Sequence, residues 1–345
     1  MQDGVKAMKS SPIYSKNKKT VILYIIAAVL FMTAACFGLM MGSVKLPISA
    51  MFSAFTEGAV TPDETIFLYS RLPRTLATLF VGAALSVSGA VLQSVLSNKL
   101  ASPSIIGVNS GAALAVTVAA FFGIYGGFAL SAIAFAGAFI AVAVLIVISL
   151  KTGRGKSTVI LTGVALNALF GAFSDALISF NPSLSIFTYD FKIGDFSAVT
   201  YNKLVPGIII ISLSLVCLFF LSDRLDILSM GDNNAKALGM NVTPYRILFL
   251  ILVALLSGVS VSLAGLISFI GLIVPHALRY SGVKESKSLL PLSALFGGGF
   301  VSLSDTFART LFSPYEIPVG IIMAFWGVPF FIFLLSGKKG GEIND

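Results

Sequence analysis

The chain has 345 residues, of which 57% are apolar and only 11% are charged, whereas a soluble domain carries roughly 25% charged residues. This composition, with a mean hydropathy of +0.96, excludes a soluble enzyme, a coiled coil and a disordered chain. The net charge of +8 does not indicate a nucleic-acid partner, because such a protein needs a water-exposed basic face and little of this chain is polar.

Ten segments with few or no charges are predicted to cross a membrane as helices, since one crossing needs about 20 apolar residues. In chain order they are 20–44, 75–98, two helices within 100–150 that turn at 123–127, then 159–180, 204–222, 247–264, a short helix that ends at Pro275, 289–311 and 317–337. A surface helix is predicted around 48–55. Cys36 and Cys217 lie in apolar segments, and two such cysteines predict neither a disulfide framework nor a zinc site.

The distribution of basic residues predicts which side of the membrane each connection occupies. Most of the 23 Lys and Arg residues lie before the first span, after the last one, and in the connections on that same side. Because cytoplasmic connections retain Lys and Arg, both termini are predicted to be cytoplasmic. The sequence therefore predicts one membrane domain, 20–337, with a disordered basic tail, 1–19, and a short C-terminal tail, 338–345.

The sequence contains only weak or incomplete motifs for two other functions, ATP hydrolysis by this chain itself and ion-coupled transport. The tripeptide 155–157, Gly-Lys-Ser, resembles the end of a phosphate-binding loop, but Leu150 stands where that motif needs glycine. Ion-coupled transporters usually keep ionisable residues near mid-membrane, whereas Asp175, Asp305 and Arg309 fall toward the outer ends of their predicted helices. Asp305 and Arg309 are four residues apart, which an intrahelical ion pair explains. An ion-coupled secondary transporter is therefore the disfavoured alternative.

The segment Arg71-Leu-Pro-Arg74 lies where the chain enters its second span from outside. Its two arginines are about one helical turn apart, and a proline suits the start of a helix. The pattern predicts two guanidinium groups at the outer surface. They would either extend to lipid headgroups or bind carboxylates of an external protein.

Several motifs, in the same order along the chain, resemble the membrane permeases of bacterial iron–siderophore and vitamin B12 importers, the FecCD type. The motifs are RLPRTLA from Arg71, GAAL from Gly82, SGAVLQ from Ser88, LASPSIIGVNSGA from Leu100, SFIGLIVPHALR from Ser268 and EIPVGII from Glu316. One departure is Lys99, where the family usually has proline in Asn-Pro-Leu-Ala.

The resemblance implies an all-α polytopic membrane protein with the ten-helix architecture of a type II ABC importer permease, in the bacterial cytoplasmic membrane. Such a subunit performs no catalysis and holds no cofactor. The resemblance implies four kinds of partner. They are a second permease subunit (identical or related to this chain), two cytoplasmic ATPases, an extracytoplasmic binding protein and an iron(III)–siderophore cargo. Cobalamin or heme as cargo is the alternative within the same architecture.

The resemblance also implies roles for residues on both sides of the membrane. Arg71, Arg74 and Arg309 would bind acidic residues on the external binding protein. Residues 223–246 resemble the loop that contacts the ATPase, in which two short helices transmit movement. The residues of this coupling loop predicted to act are Gly231, Asp232, Ala235, Leu238 and Gly239. Asp232 is suited to start a helix and Gly239 to end one.

A large hydrophilic chelate needs a wide path that is poor in charge and does not hold it tightly. Polar residues predicted for the wall of this path are Gln93, Asn109, Ser110 and Asn167. His276 is predicted to be a helix-end residue, because a chelate arrives with its iron already coordinated and one histidine makes a poor metal site. The sequence therefore predicts no metal-binding residues.

Overall fold

The computed structural model describes residues 12–152 and 155–336, which form helices joined by short connections. In chain order these are α1 Pro12–Met40, α2 Ile48–Thr56, α3 Pro62–Ile66, α4 Leu72–Val95, α5 Val108–Phe121, α6 Gly127–Thr152, α7 Lys156–Phe180, α8 Leu184–Ile193, α9 Tyr201–Phe220, α10 Ser222–Ser229, α11 Asp232–Ala237, α12 Val242–Ala264, α13 Ile270–Tyr280, α14 Ser286–Thr310 and α15 Val319–Ser336. A π-helical turn, Phe67–Arg71, joins α3 to α4.

Six helical segments in the described residues are long and apolar enough to cross a membrane, and each corresponds to a predicted span. They are Lys19–Met40, Pro62–Val95, Gly127–Thr152, Lys156–Phe180, Tyr201–Phe220 and Val242–Ala264. The other four predicted spans correspond to α5, α13, α14 and α15, so ten crossings remain a proposal. Helix α14 is long, but its serines, its three consecutive glycines and Asp305 make it more polar than the six.

The helix boundaries confirm some predictions and correct others. The predicted turn at 123–127 lies between α5 and α6, and the surface helix is α2. Helix α1 begins at Pro12, within the predicted basic tail. Residues 1–11 and the C-terminal tail lie outside the described residues.

Helix α13 was predicted to end at Pro275 but continues to Tyr280. Proline has no N–H with which to bond the carbonyl four residues earlier, here that of Gly271. The side chain of Gln93 replaces this donor, because its Nε2 donates to the Gly271 oxygen at 3.0 Å. Arg279 in turn donates to Gln93 Oε1 at 2.5 Å. The orphaned carbonyl is thus satisfied from α4, and the helix continues past the proline.

Helix α4 lies at the centre of the molecule and packs against α12, α13 and α14. Its contacts use glycine at the points of closest approach, as expected where helices pack by small residues. A Cβ atom on Gly82 would lie 2.9 Å from the Cα of Gly298, and one on Gly89 would overlap the backbone of Gly271. These contacts fix α13 and α14 directly on the backbone of α4.

Helix α7 differs from α4 in how much of it the rest of the chain covers. Of the 18 consecutive residues of α7 that are most apolar, only 22% are buried, whereas the corresponding share for the segment Pro62–Val95 is 89%. Below, the end of the molecule with α2, α3 and α8 is called outer, and the end with α10 and α11 inner, following the predicted sidedness. Most of the surface of α7 is therefore uncovered within this chain.

Candidate functional site

Arg74 lies in a buried ion cluster at the outer end, with only 6% of its surface exposed. Its Nη2 lies 2.9 Å from Asp305 Oδ1 and 3.5 Å from Asp195 Oδ1, and its Nη1 lies 2.7 Å from Glu316 Oε2. Asp305 is buried, whereas the side chains of Asp195 and Glu316 are 30% and 33% exposed. One guanidinium group therefore joins α4 to α14 and to two connecting segments.

The other two predicted docking residues are also buried. Arg309 Nε lies 3.2 Å from Asp305 Oδ2, which confirms the ion pair within α14, and its Nη2 donates to the Gly38 carbonyl at 2.9 Å. Arg71 donates to carbonyl groups at and beyond the end of α1, those of Leu39, Met40 and Val44. We call Arg71, Arg74 and Arg309, with Asp195, Asp305 and Glu316, the outer arginine cluster.

The expectation that these arginines lie at the surface is therefore wrong for the isolated chain. A buried guanidinium loses hydration, and close carboxylates and carbonyls offset that loss. The acidic partners come from sequence-distant segments, and Asp195 was not among the predicted site residues. Glu316 does belong to the EIPVGII motif, which is the one signal that pointed to this partner.

At the inner end, the predicted pair of short helices is α10 and α11. Gly231 and Gly239 flank α11 with φ of +100° and +77°, a backbone region that glycine adopts without strain. Gly239 ends the helix as predicted, but Gly231 occupies the N-cap and Asp232 is the first helical residue. Ala235 is fully buried, whereas 63% of Leu238 is exposed. Leu238 is thus, with Met230 at 58% exposure, one of the two large apolar side chains that this loop exposes.

Asp232 is held by two cations from other helices. Arg246 Nη2 lies 2.6 and 2.7 Å from the two carboxylate oxygens, and Lys156 Nζ lies 3.7 Å from one of them. Burial by itself would raise the pKa of Asp232, but the hydrogen bond and charge of Arg246, with the charges of Lys156 and Lys236, hold that pKa below its usual range. We call Lys156, Asp232 and Arg246 the inner clasp.

Three of the four predicted path residues meet where α7 packs against α5 and the segment before it. Ser110 Oγ donates to Asn167 Oδ1 at 2.6 Å, and Asn167 Nδ2 donates to the Ser104 carbonyl at 2.8 Å. Asn109 Nδ2 donates to Ser104 Oγ at 2.9 Å. We call these four half-buried residues the α5–α7 polar cluster. Ser104 was missed, although it belongs to the same motif as Asn109 and Ser110.

The structure places the fourth predicted path residue, Gln93, apart from this cluster, buried between α4 and α13. His276 is half-buried in α13 near the inner end. At the departure Lys99, Asn98 Oδ1 accepts the N–H of Leu100 at 2.9 Å, so an Asx turn forms without the family's proline. In the part of the chain that the structure describes, no group of three His, Cys, Asp or Glu side chains could hold a metal ion.

Comparison with known proteins gives consistent matches over nearly the whole chain. The FecCD transport family model matches residues 29–337. The Fe(3+)-citrate import system permease protein YfmD of Bacillus subtilis is 33% identical over 333 residues, which cover 95% of this chain and 98% of that one. The vitamin B12 import system permease protein BtuC of Yersinia pseudotuberculosis is 36% identical over 274 residues, 78% of this chain and 81% of that one.

A solved structure matches the fold as well as the sequence. It is described as an inward-facing conformation of a metal-chelate type ABC transporter. It superposes with a TM-score of 0.78 and 33% identity, covering 93% of this chain and 99% of that chain. The outer arginine cluster, the α5–α7 polar cluster and the coupling loop all lie within the region that the family model matches.

Proposed function

The chain belongs to the FecCD transport family and is the non-catalytic, multi-pass membrane permease of an ABC importer, and on that basis we propose that its cargo is an iron(III)–siderophore chelate. The observation that carries the proposal is the relative that imports Fe(3+)-citrate, whose match spans almost all of both chains. The match to the vitamin B12 permease is shorter but slightly higher in identity. Cobalamin is therefore the second candidate cargo.

Uptake in a strain that lacks the chromosomal gene separates the two cargoes. Cells that express this permease with its ATPase and binding protein should take up radiolabelled iron–siderophore saturably, and unlabelled cobalamin should not compete. Depletion of cellular ATP should stop the uptake. Collapse of the proton gradient alone, with ATP maintained, should not stop it, and loss of uptake under that condition would favour the ion-coupled alternative. Saturable uptake of labelled cobalamin with no uptake of any iron chelate would assign the chain to the second cargo.

The α5–α7 polar cluster is the proposed wall of the path. Its amide and hydroxyl groups offer hydrogen bonds to a hydrophilic chelate but no net charge that would retain it. Asn167 stands on α7, whose surface is mostly uncovered within this chain. A path along this surface would be closed by the second permease subunit, so that the cargo passes between two copies or two related chains.

Asp175 supports the presence of a second subunit on the uncovered side of α7. This carboxylate is exposed and, apart from Lys156 at the inner end, carries the one charge of α7, and a charge that faces lipid is costly. A chain without Cys36 and Cys217 that carries Ala172→Cys should therefore cross-link to the second permease on oxidation. Leu213→Cys on α9, at a site that is 66% exposed, is the matched control and should remain uncross-linked. Equal cross-linking at both positions would argue against α7 as the interface.

We further propose that the coupling loop receives the ATPase through Leu238. Leu238→Glu should reduce ATP-driven uptake by at least about tenfold, because a charge in an apolar contact between subunits leaves an unpaired buried group. Ala235→Glu is a poorer test, since Ala235 is buried and the loop itself would be disturbed. Tyr280→Glu, at an inner-end residue that is 90% exposed, is the control and should transport normally. Normal uptake by Leu238→Glu would remove this assignment.

The outer arginine cluster is the proposed docking site of the binding protein. Acidic residues of that protein would compete with the partly exposed Asp195 and Glu316 for the guanidinium groups. Arg71 is the best test, because the contacts described above join it only to backbone carbonyls. Arg71 is 3% exposed in this chain, so it would have to turn from its carbonyl partners to pair with the binding protein. A pair formed there in contact with water is worth about 0–1 kcal/mol, and Arg71→Gln should therefore lower the affinity by no more than about fivefold.

Most of that loss should appear in the association rate at low salt. Binding kinetics of the complete importer in nanodiscs would measure it, with Lys151→Gln at the inner end as the control. Identical association rates for Arg71→Gln and the unaltered importer at low salt would contradict docking at this site.

A further inference from the structure

The two cations of the inner clasp stand on helices that are packed very differently. Arg246 lies in α12, whose most apolar window is 72% buried, and its side chain is 5% exposed. Lys156 is the first residue of α7, for which the corresponding share is 22%. A segment with few buried contacts moves at a lower free-energy cost than a well-packed one. Within this chain, Asp232 therefore joins the coupling loop to one firmly held helix and to one that few contacts of the same chain hold.

A second contact of Lys156 also leads toward the coupling loop. Its Nζ donates to the hydroxyl of Ser97, just beyond α4, and Ser97 Oγ donates to the Ser229 carbonyl at 3.4 Å. The start of α7 is thus connected with both ends of the turn between α10 and α11. Helix α10 is tied separately to α14, because Asp226 accepts the N–H of Ser286 at 3.0 Å.

Helix α7 extends from this inner contact to the polar cluster. Asn167 follows Lys156 by eleven residues, which is about 16 Å along a helix axis. A shift of the inner end of α7 would therefore change how Asn167 meets Ser104 and Ser110. We propose that Lys156 is a positioning residue whose ion pair with Asp232 transmits displacement of the coupling loop to α7 and thereby to the polar cluster. The inference rests on the coupling function proposed above for the loop of Leu238.

Removal of the Lys156 charge tests this link in the complete importer, reconstituted with its ATPases and binding protein. Lys156→Met keeps most of the side-chain length but cannot pair with Asp232. The number of ATP molecules hydrolysed for each chelate imported should rise on the order of tenfold, within the usual range of coupling between two sites. Lys156→Arg restores the charge and should restore the ratio. Lys151→Met, at the exposed inner end of α6, should leave the ratio unchanged.

A second measurement needs no cargo and follows α7 directly. In a chain without Cys36 and Cys217, spin labels are placed at Leu161→Cys on α7 and Tyr280→Cys on α13, both exposed sites. Binding of ATP should change the distance between the labels, and Lys156→Met should abolish that change while the ATPase still binds. Lys156→Arg should recover it.

The outcomes separate this inference from the proposed cargo. Lys156→Met with an unchanged ratio and an unchanged label movement would overturn the inference, and so would a loss that Lys156→Arg does not restore. If no iron chelate is imported but the label movement still depends on the Lys156 charge, the cargo proposal fails and the link between loop and helix stands.

Discussion

Gly89→Ala should strongly destabilise the folded chain in the membrane. A Cβ atom at this position would overlap the backbone of Gly271, and neither backbone can rotate away as a side chain would. Overpacking of a well-packed core costs typically about 1–3 kcal/mol, and this contact between two backbones belongs at or above the upper end of that range. The expected consequences are a lower thermal midpoint in detergent and a smaller monodisperse fraction in size-exclusion chromatography.

The effect of Gly89→Ala should also spread to α13. Gln93 donates to the Gly271 carbonyl, which lacks its usual helical donor because residue 275 is proline. Separation of α4 from α13 would therefore break this hydrogen bond too. Gly171→Ala is the matched control, because the same methyl group on α7 meets no atom of this chain within 4 Å. Alanine is also the better helix former, so this variant should be at least as stable as the unaltered chain. Equal midpoints for both variants would show that α4 and α13 pack less closely than the structure indicates.

Arg74→Met should destabilise the chain by about 3–5 kcal/mol, the usual cost of removing one partner from a buried ion pair. The variant leaves Asp305, which is 1% exposed, with Arg309 as its remaining cation in the outer arginine cluster. It also removes the positive charge that Arg74 places among the carboxylates of Asp195, Asp305 and Glu316. Thermal unfolding in detergent at neutral pH measures the loss.

A double-mutant cycle with Asp305→Asn distinguishes the ion pair from simple loss of packing. Because the neutral amide no longer needs a cation, Arg74→Met should cost less in that background than in the unaltered chain. Lys192→Met, at an exposed outer residue of α8, is the control and should cost less than about 1 kcal/mol. Strict additivity of Arg74→Met and Asp305→Asn would mean that the two side chains do not interact.

The predictions that held depend on properties of neighbouring residues. Runs of apolar side chains placed the six long helices, the glycines at 123–127 placed a turn, and the spacing of Asp305 and Arg309 predicted their ion pair. Gly239 ended α11 because its backbone conformation is a local property. The family, too, was identifiable at this level, since its motifs are short continuous segments that the comparisons then confirmed.

The predictions that failed concern exposure and partnership across the fold. Arg74 was expected at the surface but is buried against Glu316, 242 residues away in the chain. Nothing in the sequence indicated that Gln93, a residue predicted for the path, satisfies the carbonyl that Pro275 leaves open in another helix. Hydropathy and helical periodicity report on one segment at a time, so the amino-acid order established which segments are helical. Whether a given polar side chain meets water, a carboxylate or a bare carbonyl depends on which distant helix packs beside it, and that was visible only in the assembled chain.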